Sequence, residues 1–296
     1  LPRERNVIKL QIGTRIPPKI GAQGLEQTAA WAASVGLDTL DVPRLNPEVK
    51  QILDAAGLGI GSVDASGTGA LLGKDDARRE AAAESVKKQI TEMAALGGKA
   101  MFMCLVPEDR TAPRSESFAI WKDSFPELVR HAEKEGVYIA IEGWPGPAPH
   151  YPTIGCTPEM WRAMFEAIPS KHYGLNYDPS HMVRLGIDYL RALTEFGERI
   201  NHVHGKDTEI LTDELYECGV LEATFGAKYG FSEGSWRYTI PGHGAVEWSK
   251  VAVRLDRLGY QGAIGIELED HRFWGTIEKE QEGIIKAKEH LALYFK

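Results

Sequence analysis

Short apolar runs alternate with longer segments of helical spacing along the whole chain. Runs at Val7–Gly13, Thr39–Leu45, Leu58–Ala65 and Lys99–Val106 are too short for buried helices and read as strands covered on both faces. The same signature returns at Val137–Glu142, Tyr173–Tyr177, Ile200–His204 and Ala263–Ile266. Between them the spacing predicts helices over Leu25–Gly36, Pro47–Gly57, Asp75–Leu96 and Ser115–Glu135, with Pro126 a candidate interruption of the last. Further helices are predicted over Thr157–Ile168, Ile187–Phe196, Trp248–Leu258 and Thr276–Tyr294. Pro47 suits a first helical turn, Gly36 and Gly57 suit endings, and Thr157 is placed to cap. Eight strand and helix pairs in strict alternation predict a parallel sheet closed as one (β/α)8 barrel over residues 1–296. An open doubly wound sheet would bring a glycine-rich nucleotide loop after its first strand, and QIGTRIPPKIG lacks that fingerprint. Periodicity weakens over 205–247, so this stretch is expected to be a long insertion at the active site, carrying function or short helices of its own.

In such a barrel the working residues lie at the C-terminal strand ends, which can be read in turn. The first four ends are poor in metal ligands. The last four offer Glu142 after IAIE, Asp178 in LNYDPSH, His204 in NHVHGKD and Glu267 in AIGIELED. Neighbouring strands lie about 4.8 Å apart, so these four side chains can converge on one ion. Three carboxylates and one imidazole suit Mn²⁺ best, with Mg²⁺ or Co²⁺ next and Zn²⁺ behind them for want of thiolate. Taken singly, each residue has a plainer reading: Glu142 as a solvated strand end, Asp178 as a turn aspartate, His202 or His204 as a core imidazole. The recurrence of one pattern at four successive strand ends is what favours a site. His181, three residues after Asp178, is read as a substrate contact, as are Lys206 and His243. Trp144 and Trp236 are candidates for an apolar wall, and Asp207 for orienting a neighbour or pairing with Lys206. Glu269 and Asp270 read as loop or helix-start acids.

Charge and composition narrow the class. A net charge of −8, with Lys and Arg dispersed, opposes nucleic-acid binding. No apolar run is long enough to span a bilayer, so no membrane partner is expected and the address implied is cytoplasmic. Cys104, Cys156 and Cys218 are odd in number and far apart, which fits reduced thiols. A homo-oligomer is compatible with all of this.

IAIE, YDPSH, HVHGKD with PGHG, and GYQGAIGIELED together resemble the sugar phosphate isomerase/epimerase family, most clearly from Val137 to Asp270. The resemblance implies a xylose-isomerase-like TIM barrel with a divalent metal on Glu142, Asp178, His204 and Glu267, and substrate oxygens at His181. It also implies a small-molecule sugar substrate, with Glu142 and Glu267 as the catalytic base and acid of an isomerase or epimerase working through an enediolate. A metal-dependent lyase or dehydratase on a keto sugar or oxidised glycoside shares the first step. An AP-endonuclease-like hydrolase is disfavoured by the missing extra histidines, and a sugar-binding barrel without turnover by the intact ligand set. Ketose 3-epimerases of the family place a Glu six residues after the first ligand and an Arg six after the histidine. Here those positions are Ala148 and Ile210, which argues against ketose specificity.

Overall fold

The structure, a computed structural model, describes residues 9–295. Eight parallel strands close a barrel in the order β1, β10, β7, β6, β5, β4, β3, β2. They are β1 (Ile12–Arg15), β2 (Thr39–Val42), β3 (Gly59–Asp64), β4 (Ala100–Met103), β5 (Tyr138–Glu142), β6 (Tyr173–Tyr177), β7 (Ile200–Gly205) and β10 (Ile264–Ile266). Two more strands, β8 (Asp207–Ile210) and β9 (Trp236–Thr239), form a separate antiparallel pair. The expected barrel is therefore present, with the outer helices at or close to their expected positions. The first strand differs. Val7 and Ile8 lie outside the described residues, and β1 runs on to Arg15, past the expected end at Gly13.

Local chemistry accounts for the helix boundaries. Asn46 caps Pro47–Ala56 by accepting from Val49 N at 2.8 Å, and Gly57 closes it in the left-handed region, which costs a residue without Cβ little. The helix Arg114–Glu135 continues through Pro126, contrary to the expected break. One lost backbone bond is outweighed by the packing of Trp121, Phe125, Leu128 and Val129, all buried, where each large apolar side chain contributes ~1.5–3 kcal/mol. Trp121 and Phe125 pack on Tyr173 of β6 at ring separations of 5.5 and 6.0 Å, fixing this helix to the sheet.

The region 205–247 is built as an arm rooted at the barrel mouth. β8 and β9 pair from Asp207 opposite Thr239 to Ile210 opposite Trp236, with the helix Thr212–Cys218 between them. The Asp207 carboxylate forms no ion pair with Lys206, whose ammonium pairs with Asp178, Glu267 and Glu269. Its carboxylate instead accepts from Thr208 N (2.8 Å), Val246 N (2.9 Å), Gly242 N (3.2 Å) and Trp248 Nε1 (3.3 Å), tying the returning PGHG turn to the strand where the arm begins. Burial works against the charge and raises the Asp207 pKa to about 6 despite these donors. Among the described residues no helix is long and apolar enough to cross a membrane.

Candidate metal and active site

The four expected ligands meet at the C-terminal mouth. Glu142 ends β5, His204 lies in β7 and Glu267 follows β10 directly. Asp178 follows β6 and caps the short helix Pro179–Arg184 through Oδ1, which accepts from Ser180 N at 2.9 Å. Its turn role and its ligand role are thus compatible, because Oδ2 is left over. That oxygen is buried and makes no well-aligned hydrogen bond, its nearest donors being Lys206 Nζ at 3.3 Å and His181 Nε2 at 3.4 Å. Both ring nitrogens of His204 are buried and likewise lack a well-aligned hydrogen bond. His204 Nδ1 lies 3.3 Å from Glu142 Oε2, 3.4 Å from Glu267 Oε2 and 3.8 Å from Asp178 Oδ2. Polar atoms without partners are rare in a buried setting. Ligand atoms of Asp178, His204 and Glu267 all fall within 4.8 Å of one another, the convergence a divalent ion requires. The residues therefore fit a metal, with oxygen donors dominating.

Electrostatics agree with that picture. Burial pushes the Glu142 carboxyl up, but His181 and His204 outweigh it and hold Glu142 well below the usual range. Burial likewise opposes ionisation of Glu267, and Lys206, His204 and Arg15 override it. Burial lowers the His204 pKa, yet Glu267 and Glu142 push it up to about 10. A proton on this imidazole would exclude a metal ion, so affinity for any ion held here would rise with pH. The side chains of Glu142, Asp178 and His204 are at most 4% exposed while Glu267 is 20% exposed, which makes Glu267 the edge that faces an incoming molecule.

His181 is brought into the cluster. Its Nε2 lies 3.2 Å from Glu142 Oε1 and 3.4 Å from Asp178 Oδ2, and its Nδ1 is 2.7 Å from the Tyr238 hydroxyl. Arg184 Nη1, which can only donate, also reaches that hydroxyl at 3.0 Å. The Tyr238 oxygen accepts from Arg184, so its hydrogen is free for His181 Nδ1, and Nε2 faces Glu142, Asp178 and the Lys206 ammonium 3.3 Å away. Lys206 is fully buried, with Nζ 2.5 Å from Glu267 Oε2, 3.0 Å from Glu269 Oε2 and 3.3 Å from Asp178 Oδ2. Burial opposes its charge, but these three acids raise its pKa well above the usual lysine value. Lys206 is thus a fixed cation beside the ligands, and Glu269 is its partner, no mere loop acid.

The other expected contacts are placed differently. His243 sits exposed in the PGHG turn, tilted against Phe273 at 6.0 Å, and its neighbours are outside the cluster. The Asp207 clamp turns the loop that way, which the sequence did not reveal. Trp144 is half-buried two residues beyond Glu142. Trp236 is buried with the Arg184 guanidinium 4.1 Å over its ring, so it packs the arm onto the barrel. Asp270 binds Arg272 (2.6 and 2.9 Å) and Ile240 N (3.2 Å), holding the loop after β10.

Three residues from the first half of the chain complete the mouth. Arg15 forms a two-bond pair with Asp64, both bonds 2.9 Å, and reaches Glu267 Oε1 at 3.4 Å. Asp41 in β2 pairs with His202 Nε2 at 3.2 Å and lies 3.7 Å from His204 Nε2. His202 is therefore the satisfied core imidazole. A Cβ at Gly61 or Gly265 would lie 2.0 or 2.2 Å from the Asp41 carboxylate, so glycine on β3 and β10 leaves room for this buried acid. Asn176 Nδ2 donates to Glu142 Oε2, a bond that orients the ligand. The sequence signal for Asp41 was weak: one acid inside LDV with no motif around it.

The pattern of the xylose isomerase-like TIM barrel family matches residues 19–293. The chain belongs to that family. Among curated proteins, this xylose isomerase-like barrel is 32% identical over 132 residues to an inosose dehydratase of Geobacillus thermodenitrificans, covering 45% of this chain and 38% of that protein. The match thus spans less than half the length of the curated relative. Among solved structures, the barrel resembles mannonate dehydratase from Streptococcus suis, with TM-score 0.70, 15% identity and coverage of 97% and 94% of the two chains. It also resembles 3-keto-D-glucoside 4-epimerase from E. coli, with TM-score 0.65, 16% identity and coverage of 95% and 100%. At such identities the structural likenesses speak for the fold alone.

Proposed function

We propose that this xylose isomerase-like barrel is a divalent-metal-dependent sugar isomerase or epimerase that removes a proton from the carbon next to a carbonyl. The observation that carries the reading is the convergence of Glu142 Oε2, Glu267 Oε2 and Asp178 Oδ2 on His204 Nδ1, all within 3.8 Å of it. Those four residues would hold the ion. Bound there, a divalent ion supplies a Lewis acid for neighbouring carbonyl and hydroxyl oxygens and so lowers the cost of the enediolate. Glu142, ionised, takes the proton from carbon on one side of the substrate, and Glu267, after picking up a proton from solvent at its exposed edge, returns one on the other. His181 Nε2–H, aimed by Tyr238, holds a substrate oxygen beside Glu142. Lys206 stabilises negative charge near Glu267.

A second reading, dehydration of a keto sugar or a related keto compound, is favoured by the curated relative named for that reaction and by Lys206, an ammonium beside Glu267 that can assist a departing hydroxyl. Both readings share the first proton transfer. Incubation of keto sugars in D₂O with Mn²⁺ should place deuterium next to the carbonyl. An unchanged product mass apart from the label marks the isomerase or epimerase, and loss of water marks the dehydratase. Glu142→Gln and Glu267→Gln should each abolish exchange, because an amide neither accepts nor returns the proton. Turnover without any label at carbon would contradict the proposal.

A further inference from the structure

Six of the eleven large apolar side chains exposed among the described residues belong to the arm: Ile210, Leu215, Tyr216, Val220, Leu221 and Phe225. The other five are dispersed from Tyr138 to Leu293. Phe225 is wholly exposed and Tyr216 is 88% exposed, so neither ring packs on the barrel. The helix Thr212–Cys218 buries none of its residues, and a helix this short is marginal in water without a face to bury. Single exposed apolar residues are ordinary, but a run of them on one projecting element marks a contact surface. The segment is also ordered by its own backbone. Leu211 N donates to Ser235 O at 2.8 Å, Ala223 N donates to Glu233 O at 2.7 Å, and Glu222 bridges to Gly234. The apolar run is therefore continuous with Glu233, which pairs with Arg184, and with β9, which carries Tyr238 to His181.

Charge and area select what covers it. Asp213, Glu217 and Glu222 stand among the apolar positions without an ion pair among the described residues, while Glu214 takes Lys228 at 3.2 Å. These acids repel an anionic membrane or a nucleic acid. No other part of the described surface gathers exposed apolar side chains in this way, so the surface that matches the arm is the arm of a second copy. At roughly 150–250 Å² per buried aromatic side chain, Phe225 and Tyr216 from two arms remove about 600–1,000 Å² from water. Val220 and Leu221 of each copy, 86% and 72% exposed, carry the total past the ~1,000 Å² that a specific interface clears.

We propose that two copies of this chain pair arm to arm about a two-fold axis, with Tyr216, Val220, Leu221 and Phe225 meeting their counterparts and the unpaired acids at the edge of the contact. A two-fold axis brings the same patch of both copies together, which an apolar patch satisfies and an acidic rim opposes. The dimer therefore tightens as salt screens Asp213, Glu217 and Glu222 from their counterparts.

Sedimentation equilibrium of the full chain at low and high salt tests this. The result expected is a dimer with Kd in the micromolar range or tighter, strengthened by salt. Phe225→Asp and Leu221→Asp change exposed side chains, so the fold should survive by circular dichroism while each weakens the dimer about thirtyfold or more, as loss of a buried apolar anchor does. Val253→Asp, at an exposed apolar position outside the arm, should leave the dimer unchanged. Backbone amides of residues 212–225 should exchange with D₂O more slowly in the wild type than in Phe225→Asp. A chain that stays monomeric would overturn the proposal, as would a dimer weakened by salt. So would a dimer that survives both arm substitutions or yields equally to Val253→Asp, or equal exchange rates in the arm.

Discussion

Removing one oxygen, in Tyr238→Phe, tests how the arm β8–β9 governs the site. The Tyr238 hydroxyl is buried between His181 Nδ1 at 2.7 Å and Arg184 Nη1 at 3.0 Å. Arg184 keeps its ion pair with Glu233 and its bond to Gly146 O, so its loss is small. His181 keeps nothing on the Nδ1 side, and a buried nitrogen left without a partner costs about 1–3 kcal/mol. For a chain of this size that corresponds to roughly 2–10 °C in Tm. The ring then loses the bond that fixes its orientation beside Glu142, and loss of such an orienting partner costs roughly 10–100-fold in activity or metal affinity. Urea unfolding gives the first quantity, and kcat with metal-binding calorimetry gives the second. The role proposed for His181, on a bound substrate, predicts that kcat falls more than KM rises. Wild-type stability together with wild-type kcat would refute the claim that the arm positions His181.

Three further outcomes follow from the geometry. His204 is pushed up to about 10 in the absence of metal, above its ordinary value of 6.5. The stability it contributes is complete below about 6.5 and is lost as pH rises toward about 10. The urea midpoint of the chelated protein should therefore decline over that window, and Mn²⁺ should remove the decline; a flat profile without metal would count against the burial of His204 among acids. Asp207→Ala strips four N–H groups of their acceptor and should cost about 3–5 kcal/mol, read by urea unfolding, whereas Asp207→Asn should cost less. Asp41→Ala leaves His202 without its partner and the Gly61–Gly265 space empty, so metal affinity at the adjacent His204 should fall, measured by Mn²⁺ titration.

The barrel was legible because each strand is an apolar run of barrel length and each helix carries its own punctuation, as at Asn46–Pro47 and Gly57. The clustering of Glu142, Asp178, His204 and Glu267 was legible for the same reason: a polar residue at the end of an apolar strand has one place to go. Arg15, Asp41 and Asp64 were not, since an isolated charge at a strand end has the same local pattern whether it meets water or a neighbour across the barrel. β8 and β9 escaped notice because their partners are far apart in sequence, with Asp207 paired opposite Thr239. The fate of His243 depended on the Asp207 clamp, a tertiary contact that no periodicity encodes. Pro126 was overruled by packing: its helix is held by Trp121 and Phe125 against β6.

The central claim is a single divalent-metal site made by Glu142, Asp178, His204 and Glu267. Calorimetric titration of the chelated protein with Mn²⁺ at neutral pH tests it most directly. The account predicts one ion per chain, with binding abolished in Asp178→Ala and in His204→Ala although both variants remain folded by circular dichroism. Absence of stoichiometric binding in the wild type, or equal affinity in folded variants, would contradict it.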